Sequence, residues 1–165
     1  YLQFGGRAAW QVRAALAATM VPTWGVYAGY ELMEHVARPG AEEQIDNEKY
    51  QYKDRRWSDY EPGGEREGQS LAGWLTMLNR VRREHPSLLL LRNYVRHHVD
   101  DENLLAFSKS RRLPDGSTDT VIARCCQSRS SRKASRAWAC QLLATGRSLI
   151  CCRYQGRSRA LPTAK

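Results

Sequence analysis

Residues Ala8 to Tyr27 read AAWQVRAALAATMVPTWGVY and combine two kinds of local pattern. The first part, up to Met20, is rich in alanine and places larger apolar side chains near helical spacing, which predicts a helix. Pro22 ends this helix, and the β-branched and aromatic residues of Thr23–Tyr27 predict a short buried strand. A helix that leads directly into an apolar strand is the repeating unit of parallel-sheet proteins. The sequence therefore predicts an α/β fold.

A long polar loop and a second amphipathic helix follow this unit. The loop spans Arg38–Gly68, contains several glycines and prolines, and shows no sustained period. Long loops within compact domains are uncommon and are often functional. Ser70 is a suitable N-cap for the next helix, which we expect to run to His85 before Pro86 closes it. The apolar stripe of this helix consists of Leu71, Trp74, Leu75, Leu78 and Val81.

From Leu88 onward the pattern favours antiparallel strands. Asn93–Val99 and Asn103–Ser108 are rich in strand-forming residues, and a short acidic turn separates them. Pro114–Gly116 predicts another turn, and Thr120–Ile122 predicts the beginning of a third strand. We therefore expect a second domain, an antiparallel β domain that begins near Leu88.

Residues 123–165 differ in composition from the rest of the chain. They contain 10 basic residues, no acidic residue and all five cysteines, whereas residues 1–122 contain 16 basic and 17 acidic residues. The net charge of +9 therefore comes from this tail. The tail lacks a strand period, so we expect it to be irregular, and its abrupt onset suggests translation out of frame. A basic tail that binds nucleic acid is the alternative, but charge alone is weak evidence, and we expect no nucleic-acid partner.

Length and hydropathy limit what the chain can contain. Its 165 residues are too few for a complete (β/α)8 barrel, which needs roughly 250. It begins at Tyr1 without an initiator Met, so we expect a piece of a longer protein. No apolar run approaches the roughly 18 residues of a membrane-spanning helix, and we expect no membrane partner.

Three segments resemble enzymes of the α-amylase clan. Residues 14–32, with their order of Pro, Tyr, Gly and Glu, are similar to the end of the eighth barrel strand. Residues 78–88, LNRVRREHPSL, are similar to the last barrel helix and its exit. Residues 38–43, RPGAEE, and 46–50, DNEKY, resemble the α-1,4-glucan:maltose-1-phosphate maltosyltransferases specifically. The resemblance extends from residue 1 to residue 122 or so.

This resemblance implies an architecture and a reaction. Residues 1–87 would be the C-terminal part of a catalytic (β/α)8 TIM barrel, and residues 88–122 the start of a C-terminal β-sandwich domain. The reaction would be a retaining transfer of maltosyl from maltose 1-phosphate to the non-reducing end of an α-1,4-glucan. The family's catalytic Asp nucleophile, Glu acid/base and third Asp precede the matched region. No catalytic residue is therefore assigned, and the chain is expected to be inactive alone.

The resemblance also implies a substrate site at Lys49 and Tyr50, which match positions that bind maltose 1-phosphate in the family. An ammonium group can donate hydrogen bonds to sugar hydroxyls or to an anion, and a tyrosine offers a flat ring and a hydroxyl. The family further implies a cytoplasmic homodimer without a metal or an organic cofactor. Another α-amylase-clan hydrolase or a trehalose-forming enzyme is the alternative within the clan.

Several other residues favour structural interpretations. The aromatic residues after the first helix could line a carbohydrate site or pack in a core: Trp24, Tyr27 and Tyr30. The nearby acids are interpreted as solvated or helix-end residues: Glu31, Glu34, Glu42 and Glu43. His97 and His98 would point to opposite faces of a strand, and the cysteines have no zinc-site spacing, so no metal site is predicted.

Overall fold

The computed structural model describes residues 2–41, 45 and 52–126, together with the backbone of residues 140–144 and 147–150. These residues form two α-helices and an antiparallel sheet of five strands in sequential order. The helices are α1 (Leu2–Met20) and α2 (Ala72–Glu84), and the strands are β1 (Tyr94–His97), β2 (Leu104–Arg112), β3 (Thr118–Cys126), β4 (Cys140–Ala144) and β5 (Arg147–Ile150). Short 3-10 turns occupy Tyr30–Leu32, Trp57–Tyr60 and Pro86–Leu89.

Both predicted helices are confirmed. α1 begins earlier than predicted and is kinked at Gly6, whose φ of 59° and ψ of −169° are not helical. Ala15 and Ala18 of α1 are fully buried in the core to which α2 also contributes, and such small side chains allow close approach. α2 begins after Ser70, whose hydroxyl oxygen accepts a hydrogen bond from the Ala72 amide at 3.0 Å. The N-cap residue itself is Leu71, so Ser70 lies one position before the predicted capping position and binds the first amide of the helix.

The predicted antiparallel strands are also confirmed. β1 pairs with β2, and β2 pairs with β3 in a register that places Phe107 opposite Ala123. The turn between β2 and β3 is closed by the Leu113 amide, which donates a hydrogen bond to the Ser117 carbonyl at 2.8 Å. Gly116 adopts a φ of 85° in this turn, a conformation that glycine adopts without strain.

One hydrophobic core joins the helices to the sheet. It is formed by buried residues from α1, α2, the turn before β1, and strands β2 and β3: Val12, Ala14, Ala15, Ala18, Leu78, Val81, Leu88, Phe107, Val121, Ala123 and Cys125. The rings of Tyr94 and Phe107 extend the core between β1 and β2, with their centroids 5.1 Å apart. The sheet therefore covers the helices through a single shared interior.

The predicted strand at Thr23–Tyr27 is wrong. This segment follows α1 as irregular chain, and the side chains of Val26 and Tyr27 are 42% and 62% exposed. A strand needs a neighbour with which its backbone can pair, and the described residues provide no parallel strand beside this segment. The described part of the chain is therefore an arrangement of helices on an antiparallel sheet, without the parallel sheet predicted for residues 1–87.

The tail is not uniformly irregular, contrary to the expectation from its composition. β3 runs through residue 123 without a break and pairs with β2 along its length. Val121, Ala123 and Cys125 are buried and alternate with the exposed Ile122 and Arg124, which is the period of a half-buried strand. The backbone of β4 and β5 adds two further strands to the sheet. Residues 127–139, 145–146 and 151–165 lie outside the described residues.

The C-terminal end of α1 is held by a side chain of α2. α1 has no basic residue in its last turn. The buried Arg82 guanidinium donates hydrogen bonds to the carbonyl oxygens of Ala18, Val21 and Pro22. The last carbonyls of a helix have no partner within it, and a cation beside them also offsets their partial negative charge. Burial lowers the pKa of Arg82, but an arginine stays protonated in a protein.

A second buried cation, on strand β2, also donates a hydrogen bond to the C-terminal end of α1. Lys109 occupies a core position of β2, two residues from Phe107 and on the same face. Its ammonium group donates hydrogen bonds to the carbonyls of Met20 and Leu88, each at 3.3 Å. Burial, and then the neighbouring charge of Arg82, lower the pKa of Lys109. One side chain thus connects α1, the turn at Leu88 and the sheet.

A buried carboxylate joins the end of α2 to β3. Asp119 accepts a hydrogen bond from the Ser87 amide at 2.9 Å, and its other oxygen lies 2.8 Å from Nδ1 of His85. Burial alone would raise the pKa of Asp119, but the hydrogen bonds with His85 and Ser87 outweigh it and hold the pKa below its usual value. The ionised form of Asp119 therefore stabilises the folded chain.

We predict that Arg82→Met destabilises the chain by about 2–4 kcal/mol, because three carbonyls lose a charged donor. Arg83→Met is the matched control, since Arg83 is the next residue of α2 and is exposed. Urea unfolding followed by circular dichroism measures both variants. Equal stability of the two variants would contradict the assigned role of Arg82.

We predict that Asp119→Ala destabilises the chain by about 1–3 kcal/mol at neutral pH, because the Ser87 amide and His85 lose their partner. The stabilisation by ionised Asp119 is fully present above the pKa of this residue in the unfolded chain, about 3.9. It is lost as pH falls through the lower pKa of Asp119 in the folded chain. Thermal melts between pH 7 and pH 2.5 should therefore converge for wild type and variant at low pH.

Asp100→Ala is the control for this pH series. Asp100 also lies beside a histidine, 3.4 Å from Nε2 of His98, but both side chains are fully exposed. Its melts should follow those of the wild type at every pH. A constant gap between Asp119→Ala and wild type down to pH 2.5 would contradict the ionised role of Asp119.

Candidate functional site

The loop between the two helices is tied together at its ends. The Leu71 amide donates a hydrogen bond to the Glu31 carbonyl at 2.7 Å. Arg7, near the beginning of α1, donates hydrogen bonds to the carbonyls of Gln69 and Ser70 at 2.6 and 2.9 Å. The two ends of the loop therefore meet on the helical scaffold, as in the compact surface loops that often carry function.

An ion-pair cluster fixes the first part of this loop. The Glu34 carboxylate accepts two hydrogen bonds from Arg55, both at 3.0 Å, and lies 3.4 Å from the ammonium nitrogen of Lys53. Arg55 also donates to the Ala28 carbonyl at 3.3 Å. Partial burial raises the pKa of Glu34, but Arg55 and Lys53 outweigh it and the pKa lies below its usual value. The interpretation of Glu34 as a solvated acid is wrong, because Arg55 binds both of its oxygens.

Gly29 makes room for this cluster. Its φ is 98°, in the left-handed region that favours glycine. A Cβ atom at this position would lie 2.1 Å from one carboxylate oxygen of Glu34. A side chain here would therefore strain the backbone and displace Glu34 from Arg55.

A compact turn shapes the second part of the loop. The Arg66 amide donates a hydrogen bond to the Asp59 carbonyl at 2.7 Å. The guanidinium of the same residue donates to the Tyr60 hydroxyl at 3.0 Å, and its central carbon lies 5.7 Å from the centre of the Tyr60 ring. Gly64 closes the turn at a point where a Cβ would lie 2.4 Å from the Asp59 carbonyl oxygen. The backbone thus fixes where the side chains of Asp59 and Tyr60 begin.

The two parts of the loop enclose a pocket of about 410 Å³, here called the charged pocket. This volume lies within the range of about 300–1,000 Å³ that is typical of small-molecule sites. Its lining includes four cationic and three carboxylate side chains: Lys53, Arg55, Arg56, Arg66, Glu34, Asp54 and Asp59. The remaining lining residues are apolar or aromatic: Leu32, Met33, Val36, Ile45, Tyr60 and His35. The pocket can therefore both donate and accept hydrogen bonds beside apolar surface.

Lys49 and Tyr50, the substrate residues expected from the sequence, lie outside the described residues. The described residues nearest to them on either side are Ile45 and Tyr52. Ile45 lines the charged pocket, and so does Lys53, which follows Tyr52 directly. The binding role of Lys49 and Tyr50 stays a prediction.

The three aromatic residues after α1 line a second, more apolar groove of about 640 Å³. Tyr30 has a structural role, because its ring meets that of Trp10 edge to face at 4.6 Å and its hydroxyl donates to the Trp10 carbonyl at 2.6 Å. Burial raises the pKa of Tyr30 to about 12. Trp24 packs against the hydrophobic core, whereas Tyr27 is exposed. The packing interpretation therefore holds for Tyr30 and Trp24.

Two histidines lie within hydrogen-bonding distance of neighbouring oxygen atoms. Nε2 of His97 lies 2.8 Å from the Ser108 hydroxyl, and His35 is within 2.6 Å of the Met33 carbonyl. Among the residues that the structure describes, no three His, Cys, Asp or Glu side chains are grouped closely enough to hold a metal ion. In the same part of the chain, no helix combines the length and apolar character that a membrane crossing requires.

The sequence reasoning did not single out the residues that line the charged pocket. They come from one run, KDRRWSDYEPGGER at residues 53–66, which has no helical or strand period. The signal that could have found them is the density of charges of both signs around Trp57 and Tyr60. Such a run is typical of a solvated surface as well, and only the folded loop shows that it encloses a pocket.

Comparison with known proteins gives a consistent result. The chain is 54% identical over 110 residues to an α-1,4-glucan:maltose-1-phosphate maltosyltransferase of Streptomyces coelicolor, covering 66% of this chain and 16% of that protein. It is 47% identical over 135 residues to the protein of that name from Corynebacterium glutamicum, covering 81% of this chain and 19% of the relative. The protein of that name from Mycobacterium tuberculosis is 47% identical over 109 residues, 66% of this chain and 15% of its own length.

The resemblance inferred from the sequence motifs is therefore confirmed. The chain spans less than a fifth of the length of these curated relatives. No protein-family model matches it.

We predict that Gly29→Ala destabilises the chain more than Gly68→Ala, by an additional 1–3 kcal/mol or so. Both glycines have positive φ, but a Cβ at Gly68 meets open space, so the control isolates the clash with Glu34 from the backbone strain. Denaturant unfolding measures both variants. Equal losses would show that the Glu34–Arg55 pair tolerates displacement.

Proposed function

We propose that this chain is a segment of an α-1,4-glucan:maltose-1-phosphate maltosyltransferase. The whole enzyme would transfer maltosyl from maltose 1-phosphate to the non-reducing end of α-1,4-glucans. The observation that carries this proposal is the identity of 44% to 54% with several relatives that bear this name. The shared name also favours a maltosyl transfer over the hydrolytic or trehalose-forming alternatives within the clan.

The domain boundaries belong to the same proposal. Residues 1–87 would contribute the C-terminal part of a (β/α)8 barrel, and residues 88–122 would begin a C-terminal β domain. In the described chain, residues 23–27 leave α1 with exposed Val26 and Tyr27, a position that other barrel strands could cover. Residues 123–165 would be an addition read out of frame, as their composition suggests.

The proposed chemistry needs groups that we do not assign to this chain. A retaining transfer uses two carboxylates about 5–5.5 Å apart, one as nucleophile and one as acid/base. Two acids are held by side-chain or backbone partners: Glu34 is bound by Arg55, and Asp119 is bound by His85 and Ser87. These partners give both acids structural roles. We therefore expect the 165-residue chain alone to release no phosphate from maltose 1-phosphate.

Lys49 and Tyr50 are the residues that we propose to bind the donor, maltose 1-phosphate. Two observations support this role. They match the family positions noted above, and the chain on either side of them leads into the charged pocket. Lys49 is four positions from Ile45 and four positions from Lys53 in the chain, and four extended residues span at most about 14 Å. A homodimer in the cytoplasm, without a cofactor, completes the proposal by family resemblance.

The test uses a chimera, in which residues 29–71 of this chain replace the matching segment of the Streptomyces coelicolor relative. We predict that Lys49→Ala lowers kcat/KM for maltose 1-phosphate by roughly tenfold to a hundredfold, because a charge-assisted hydrogen bond is lost. Tyr50→Phe should cost less, because it keeps the ring and loses only the hydroxyl. Steady-state kinetics with the donor varied at saturating glucan measures both.

Glu65→Ala is the control, since Glu65 is an exposed residue of the same loop that does not line the charged pocket. Its kinetic constants should match those of the unmodified chimera. An unchanged donor kcat/KM for Lys49→Ala would mean that this part of the loop is only a solvated surface.

A further inference from the structure

The pairing of strands β3 and β4 places two cysteines opposite each other. The two strands are antiparallel, and their register makes Cys125 of β3 the partner of Cys140 of β4. The Cα atoms of directly opposed residues in an antiparallel pair lie about 4.5 or 5.5 Å apart, depending on whether the pair is hydrogen-bonded. A disulfide bond needs a Cα–Cα separation of about 4.4–6.8 Å. The register therefore brings these two positions within the reach of a disulfide bond.

The two cysteines also occupy the same face of the sheet. Positions along a strand alternate between its faces, and directly opposed positions of two paired strands share a face. Cys125 is fully buried and belongs to the hydrophobic core, as do Val121 and Ala123 of the same strand. Cys140 therefore holds a register position on the core face of β4.

Cys126 provides a contrast within the same strand. It follows Cys125 directly, so its position is on the opposite face of β3, and its partner on β2 is Leu104. Among the three cysteines in the strands that the structure describes, Cys125 and Cys140 are the pair that the register opposes. The register thus distinguishes between two cysteines that are adjacent in sequence.

We propose that Cys125 and Cys140 form a redox-responsive pair, which an oxidised low-molecular-weight disulfide such as oxidised glutathione converts into a disulfide between β3 and β4. The bond closes residues 126–139 into a loop and ties β4 covalently to a strand of the hydrophobic core. This proposal is independent of the proposed function, because it concerns only the pairing of strands in the chain as it stands.

The reaction consists of two thiol–disulfide exchanges. The thiolate of one cysteine attacks a sulfur of oxidised glutathione, which forms a mixed disulfide and releases one glutathione thiolate. The thiolate of the second cysteine then attacks the protein sulfur of the mixed disulfide and releases the second glutathione. Two electrons pass from the two cysteine sulfurs to glutathione, and the two protons of the cysteine thiols end on the two glutathione thiolates.

The first experiment identifies the bond that forms in the 165-residue chain. The chain is incubated with oxidised glutathione in native buffer and, separately, in 8 M urea, and the remaining thiols are then blocked by alkylation. Trypsin places Cys140 in the peptide of residues 137–147, apart from Cys151 and Cys152 in residues 148–153. Cys125 and Cys126 share the peptide of residues 125–129, so the two are distinguished by substitution.

We expect the peptides of residues 125–129 and 137–147 to be linked as the main product in native buffer, and a mixture of pairings in urea. Cys126→Ser, the matched control, should keep this link, whereas Cys125→Ser and Cys140→Ser should each abolish it. A native product that links Cys140 to Cys151 or Cys152, or a link that survives in Cys125→Ser, would overturn the proposal. The same mixture in native buffer and in urea would overturn it as well, because the folded register would then not direct the pairing.

The second experiment compares the melting temperature of the oxidised and the reduced form of each variant, so that any effect of the substitution itself cancels. A bond that closes a loop lowers the entropy of the unfolded chain. Oxidation should therefore raise the Tm of the wild type and of Cys126→Ser by roughly 5–10 °C. The Tm of Cys140→Ser should be the same in both forms. An equal rise in all three chains would assign the stabilisation to a different pair and contradict the proposal.

Discussion

The structure depends on how the carbonyls at the end of α1 are satisfied. Pro22 prevents α1 from continuing, and the carbonyls there need donors from elsewhere. Arg82 and Lys109 supply them from α2 and β2, and both side chains are buried as a result. Burying a cation without hydrogen-bond partners costs free energy. Each of these side chains therefore stabilises the fold only because the end of α1 leaves carbonyl groups free to accept its hydrogen bonds. The helix end and the two cations therefore require one another.

The same arrangement determines where the candidate site lies. α1 is fixed at its C-terminal end by the two cations, and near its beginning Arg7 holds the carbonyls of Gln69 and Ser70. The chain that leaves α1 reaches Tyr30, which is tied back to Trp10 in the middle of the same helix. Both ends of the long loop are thus held by contacts with α1. A loop held in this way can keep a pocket open without secondary structure of its own.

The structural features that the sequence pattern predicted correctly are those determined by interactions between residues close in the chain. The apolar stripe of α2 and the turn at Gly116 follow from spacing and backbone preference, and both are present. The prediction of a strand at Thr23–Tyr27 failed because a strand needs a neighbouring strand with which its backbone can pair. The sequence of the segment itself does not specify that neighbour. Arg82 and Lys109 resemble surface residues in sequence, and their burial depends on carbonyls some 60 to 90 positions away. Lys49 and Tyr50 are predicted to bind substrate only through family resemblance, since nothing in their own pattern distinguishes them from other polar loop residues.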